Sequence, residues 1–432
     1  MGVDVTRFRC TSNSRVKRFN RTFEEINQYG NNGYGINRLA YSKTEQQALK
    51  HLIALFRQEG MKVKIDAAGN VIARREGLKP TLPAVACGSH IDTVYNGGRY
   101  DGTIGVVAGL EVIRSFNDMN IQTEHPIEII VFACEESARF GVSTIGSKAM
   151  TGLCKEEELI HLTDKDGISL EKAFRECSLN IHEIDQAVRA KDDIKVFYEL
   201  HVEQGPVLEN EQKDIGVVTG IAAPTRFHIE IKGEADHSGT TPMELRKDAF
   251  LGAAEIALAV EEIAGSESSN GTVGTVGVCN VNPGAMNVVP GYAEIQVDIR
   301  SISISSKEFV VQQLLEKIAI IEQKRQLEIH ITKLSDEKPM KVQDEIIQSL
   351  TESCEQLGYS YKRMASGAGH DAMNMGRVFP TGMIFIPSKN GLSHNPDEFT
   401  SFEQIVMGAN VLKIEMMKAA HVANRGEQRA SI

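Results

Sequence analysis

The chain has 432 residues, more than one ordinary hydrophobic core accommodates, so two domains are expected. With 41% hydrophobic and 24% charged residues and only 12 prolines, it reads as a packed globule and not as a disordered or low-complexity chain. A net charge of −11 with scattered basic residues argues against nucleic acid and anionic membrane as partners and favours a small molecule.

The N-terminal stretch MGVDVTRFRCTSNSRVKRF has no long apolar core for export, and no later segment approaches the roughly 20 apolar residues of a membrane span. A cytoplasmic protein is therefore expected. Gly2 and Thr6 fit the short myristoylation pattern, which recurs by chance. The seven cysteines, Cys10, Cys87, Cys134, Cys154, Cys177, Cys279 and Cys354, have irregular spacing and no CxxC pair, as expected of reduced thiols.

In chain order, Ser42-Lys43-Thr44-Glu45 is a candidate capping box, followed by Leu49, Leu52, Ile53 and Phe56 at helical offsets and a stop at Gly60. Buried strands are predicted at 84–89, 127–133 and 195–200, with helical character between them, as over 106–116. Such alternation implies an α/β fold whose sheet is at least partly parallel, and ligands gather beyond the carboxyl ends of such strands. From 221 to 335 the character changes to a compact α+β insert. Strands are predicted there at 227–232, 293–299 and 327–332, with a helix opening on a candidate box at Ser305 and Glu308 and carrying Val311, Leu314, Leu315 and Ile318. A helix without a cap at 344–357 and a strand at 382–386 then resume the first domain. The expected division is 1–220 and 336–432 for one domain and 221–335 for the other.

Polar residues cluster just past the three early strands. Gly88-Ser89-His90-Ile91-Asp92 offers an imidazole with a carboxylate two residues on, either a metal ligand oriented by Asp92 or a loop histidine with an incidental acid. Asp101 lies among Gly97, Gly98, Gly102 and Gly105, where it fits a carboxylate bridging two ions or an Asx turn before a helix. The adjacent Glu135 and Glu136 repel each other, which suits a cation held by one and a proton handled by the other, or a solvated acidic turn. His201 and His394 complete the set. A lone histidine is ordinarily a satisfied polar residue, whereas five such positions together point to a metal centre.

The stretches GSHIDTVYNGGRYDG, FACEESARFG, GSKAMTG, ELHVEQGPVLE, GEADHSGTTPM, MNVVPG and GLSHNPDEF resemble the metal-dependent M20-type amidohydrolases. Within these they are similar to the hydantoinase/carbamoylase branch: N-carbamoyl-L-amino-acid hydrolases, allantoate amidohydrolases and β-ureidopropionases. The resemblance implies an M20-type catalytic domain with a mixed sheet, interrupted by a smaller α+β lid or dimerisation domain, and a homodimer formed through it. It implies two divalent ions, of zinc, manganese, cobalt or nickel. One would be bound by His90, Asp101 and His201, the other by Asp101, Glu136 and His394. Glu135 would be the general base and Asp92 the orienter of His90. Gln204 would lie near the substrate, His237 would stabilise the oxyanion in the partner subunit's site, and Asn287 and Arg300 would hold a substrate carboxylate. His370 and Asp371, in the segment SGAGHD, would support the site, His370 as a further substrate-binding residue. Ser137 stands where the family leads one to expect glycine, beside the base.

Overall fold

The computed structural model describes residues 13–422, which leaves Cys10 and the Gly2–Thr6 pattern outside the described residues. The chain forms two compact units. The larger takes the residues up to Thr219, Val342–Met364 and those from His370 onward. The smaller takes Gly220–Lys341 with Ala365–Gly369.

The larger unit is built on a mixed sheet whose strands lie in the order Lys62–Ile65, Val71–Arg75, Ile127–Phe132, Ala84–His90, Ile194–Val202, Thr381–Ile386 and Ile215–Ile221. The four middle strands from Ile127–Phe132 to Thr381–Ile386 are parallel, and their neighbours on either side run antiparallel to them. The strands Ile127–Phe132 and Thr381–Ile386, largely apolar, are buried at every position, as a sheet covered on both faces requires, with the one charged residue, Glu128, paired to Arg74 and Arg189. The helix Thr103–Asp118 packs on three of these strands, and Phe402–Ala419 packs on Thr103–Asp118 and on the sheet. The predicted strand 195–200 extends to Val202, so His201 lies within it and not after it.

Ser42 caps the helix Lys43–Gln58 by accepting the Glu45 N–H, but the Glu45 carboxylate reaches back past the cap to the Tyr41 N–H at 2.5 Å. The expected reciprocal box is thus displaced by one residue. Asp344–Leu357 has no side-chain cap at its start, as its sequence suggests, and ends on Gly358 in the left-handed region.

The smaller unit is a four-stranded antiparallel sheet in the order Glu328–Asp336, Ala223–Lys232, Tyr292–Ser301 and Val273–Asn282. The helices Ala249–Ser266 and Ile304–Arg325 pack together and on the sheet. Ala293, Ile295, Val297 and Ile299 alternate into this core beside Phe227, Ile229 and Ile231. The second helix is capped by Ser303, which accepts the Ser306 N–H, two residues before the expected Ser305 box. Its buried face is accordingly Val310, Leu314, Ile318 and Ile321, with Leu315 38% exposed.

Candidate metal centre

Three parallel strands deliver the centre at their carboxyl ends. His90 closes Ala84–His90, Glu135 and Glu136 follow Ile127–Phe132, and His201 is the penultimate residue of Ile194–Val202. Asp101 enters from the turn before the helix Thr103–Asp118. At that helix start Gly102 adopts φ +62, and a Cβ there would lie 2.4 Å from His90 Nε2, so only glycine fits.

Asp101 is the hub. Its Oδ1 lies 3.3 Å from His90 Nε2 and 3.2 Å from His201 Nε2, and its Oδ2 lies 3.5 Å from His394 Nε2. Glu136 Oε1 is 3.2 Å from the same His394 nitrogen. Two ligand groups result, His90, Asp101 and His201, and Asp101, Glu136 and His394, each with donor atoms within 4.8 Å of one another. Glu135 Oε2 stands 3.8 Å from His90 Nε2. All but His394 are buried.

The donor chemistry suits divalent ions. His90 Nδ1 faces the Asp92 carbonyl at 3.0 Å and His201 Nδ1 the Val202 carbonyl at 2.9 Å. A carbonyl only accepts, so these contacts keep the imidazole proton on Nδ1 and turn bare Nε2 atoms toward Asp101. The Gly102 N–H, donating to His201 Nε2 at 3.1 Å, agrees with that tautomer. Without a cation, protons compete for these positions. Burial disfavours a charged His90, yet the Glu135, Asp101 and Asp92 carboxylates pull its pKa well above the usual histidine value. Glu136 pulls His394 up to about 9. Burial, with Glu136 and Asp371 adding to it against His90, raises the Glu135 carboxyl well above the ordinary range. A divalent ion relieves the crowding that produces all three shifts.

Asp92 lies behind His90, its Oδ1 3.6 Å from His90 Nδ1, and makes further contacts that the sequence did not suggest. Its main-chain carbonyl meets the His90 ring, while its carboxylate accepts the backbone N–H groups of Glu135 at 3.2 Å and Glu136 at 2.9 Å. Asp92 thereby ties the end of one strand to the glutamate pair beyond the next. Gln204 turns its amide nitrogen onto Asp101 Oδ2 at 2.7 Å and leaves its own buried Oε1 without a hydrogen-bond partner. His370 is 2% exposed, with its ring 4.6 Å from that of His201 and against Phe385, so it packs against His201 and does not face solvent. Cys134, Gln204 and His394 all adopt positive φ, a strain of order 1–3 kcal/mol each for non-glycine residues.

His237, Asn287 and Arg300 belong to the smaller unit. His237 is exposed and pairs with Val288, and the Ser238 N–H donates to the Asn287 carbonyl. The Gly239 N–H donates to His237 Nδ1 at 3.0 Å, which leaves the ring proton on Nε2. Arg300 forks onto Asp298 at 2.9 and 3.2 Å and donates to the Gly367 carbonyl.

Sequence reasoning missed two buried carboxylates. Glu199 accepts from Ser89 Oγ and the Ala372 N–H. It shares a strand face with His201 two residues on, a signal that was available. Glu398 accepts the N–H groups of Tyr100 and Asp101, nearly 300 residues away in sequence, and no local pattern announces it. Two further groups of potential ligands occur among the described residues: Glu199, His201 and His370, and Glu124, His125 and His421, the last two residues of which both contact the Lys195 ammonium.

A mixed sheet with imidazoles and carboxylates gathered at its parallel strand ends, in a chain that also forms a smaller α+β unit, is the architecture of a metal-dependent hydrolase. The model of peptidase family M20/M25/M40 matches residues 86–416. An uncharacterized hydrolase of Haemophilus influenzae is 46% identical over 90% of this chain and 94% of its own length. The N-carbamoyl-L-amino-acid amidohydrolase of a Pseudomonas species is 39% identical over 89% and 93%. The ureidoglycolate hydrolase of Arabidopsis thaliana is 37% identical over 89% and 82%. The crystal structure of a hydantoinase/carbamoylase family amidase from Burkholderia multivorans superposes with a TM-score of 0.86 at 34% identity, covering 94% of this chain and 98% of that one. The chain belongs to peptidase family M20/M25/M40 and, within it, to the hydantoinase/carbamoylase branch of amidohydrolases.

Proposed function

We propose that this enzyme hydrolyses N-carbamoyl-L-amino acids to the amino acid, carbon dioxide and ammonia, acting in the cytoplasm as a homodimer formed through the smaller unit. The observation that carries the reading is the pair of ligand groups sharing Asp101, with Glu135 beside them. His90, Asp101 and His201 would hold one divalent ion and Asp101, Glu136 and His394 the other, with zinc, manganese, cobalt and nickel all suited to such donors. Bound there, the ions supply Lewis acidity toward a carbonyl and a water.

Glu135, with Oε2 3.8 Å from His90 Nε2, takes a proton from the attacking water and delivers it to the leaving nitrogen. His237, with its proton on Nε2, donates to the carbonyl oxygen as negative charge develops, serving the partner subunit's site. Arg300 and Asn287 hold the substrate carboxylate, the guanidinium plane being fixed by Asp298. Gln204, its amide nitrogen 2.7 Å from Asp101 Oδ2, lies near the substrate.

Allantoate is the second reading, since it too presents a ureido group and a carboxylate, and Ser137 beside the base departs from the family pattern. Ammonia release decides, measured on N-carbamoyl-L-amino acids of several sizes, allantoate, ureidoglycolate, N-carbamoyl-β-alanine and dipeptides, with manganese, cobalt and zinc each supplied. Preferred turnover of an N-carbamoyl-L-amino acid supports the proposal. Preference for any other member of the panel rejects it.

A further inference from the structure

The segment GLSHNPDEF supplies His394, yet its most deeply buried acid has no part in the chemistry above. Glu398 is 3% exposed. Its Oε1 accepts the N–H of Tyr100 at 2.8 Å and of Asp101 at 2.9 Å, and its Oε2 lies 3.1 Å from Ser393 Oγ. That hydroxyl is in turn 2.8 Å from Asp101 Oδ2. One side chain therefore touches the backbone of the shared aspartate and, through Ser393, its carboxylate. The surroundings are shaped to admit it: a Cβ on Gly98 would lie 2.4 Å from Glu398 Cδ and 2.5 Å from Oε2. Tyr100, between Gly98 and Asp101, is itself wedged between the rings of Phe23 and Phe399.

We infer that Glu398 is a positioning residue that fixes the Asp101 turn against the His394 segment, so that the two oxygens of Asp101 face the two ligand groups at once. The inference rests on the two-ion reading proposed above. Bonds to two consecutive N–H groups hold both the position and the tilt of the turn, which one bond does not. Because His394 and Glu398 lie on one short segment, loss of the clamp frees Asp101 and His394 together. Glutamine retains an oxygen for the two N–H groups and presents its amide to the Ser393 oxygen, so it preserves the arrangement. Alanine does not.

The test is calorimetric titration of manganese into chelator-stripped full-length protein, with the melting curve of each stripped variant recorded alongside. Wild type and Glu398→Gln are expected to bind two equivalents with affinities within about threefold of each other. In Glu398→Ala one equivalent weakens by at least tenfold. Gly98→Ala, which keeps the carboxylate but displaces it, should weaken the same equivalent, and it decides the matter alone if the alanine variant does not fold. Wild-type affinities in Glu398→Ala or Gly98→Ala, with or without a lowered apo melting temperature, overturn the inference, as does a glutamine variant as impaired as alanine. A wild-type protein binding a single equivalent rejects the two-ion reading instead, and the role of Glu398 is then read from that equivalent.

Discussion

Arg300 shows how one residue's surroundings set its expected contribution. Asp298 and the Gly367 carbonyl hold its guanidinium plane, so little conformational entropy is lost when it meets a carboxylate. Arg300→Ala should lower kcat/KM on N-carbamoyl amino acids at least about tenfold, or roughly 1.4 kcal/mol, in steady-state assays, and an unchanged value would remove it from substrate binding. Glu45 makes a prediction about stability. Burial, reinforced by the charge of Asp92, raises its carboxyl to about 8, against the opposing Tyr41 N–H, Arg38 and Arg139. Between the ordinary glutamate value of 4.5 and about 8 the native state keeps a proton that the unfolded chain has lost. Stability from this group is therefore present below 4.5 and is lost as pH rises through 8. Glu45→Gln, which can still accept the Tyr41 N–H, should flatten the fall in denaturation midpoint across that window. Parallel profiles for the two proteins would contradict the assignment.

Elements differ in how much of themselves they announce. The runs 84–89, 127–133 and 382–386 were legible because a strand covered on both faces is predominantly apolar, and the histidine and glutamates past two of them pointed to the candidate site. Val273–Asn282 was not, because this edge strand is interleaved with glycines and alternates between exposed and half-exposed positions. The ligand positions could be nominated from local motifs, whereas the Asp92, Ser393 and Glu398 contacts that hold them join distant segments and leave no periodic trace. Helix phase is a further case. The pattern in 304–325 marked Leu314 and Leu315 alike, but the cap at Ser303 sets a phase that buries the first and leaves the second 38% exposed. Leu314→Ala should cost about 2–5 kcal/mol in chemical denaturation and Leu315→Ala less than about 1 kcal/mol. Equal costs would contradict this packing.

At the scale of the molecule, the proposed metal ligands all belong to the larger unit. Ions that bind only the folded state stabilise it by about 2.7 kcal/mol at a hundredfold excess over Kd. Scanning calorimetry with and without a chelator should therefore show the transition of the larger unit falling on ion removal while that of the smaller unit holds still. A chelator effect on the smaller unit's transition alone would contradict the placement of the ions. The larger unit is also discontinuous in sequence, with the smaller unit inserted between His201 and His394. At 5–20 residues per second a ribosome takes roughly 10–40 s to travel from one histidine to the other. Throughout that interval the nascent chain carries His90, Asp101, Glu136 and His201 without the segment that completes the second ligand group and clamps the first. Completion of the proposed centre is thus a late event in biosynthesis, and a chain terminated before residue 394 carries four of its five ligands but only one complete ligand group.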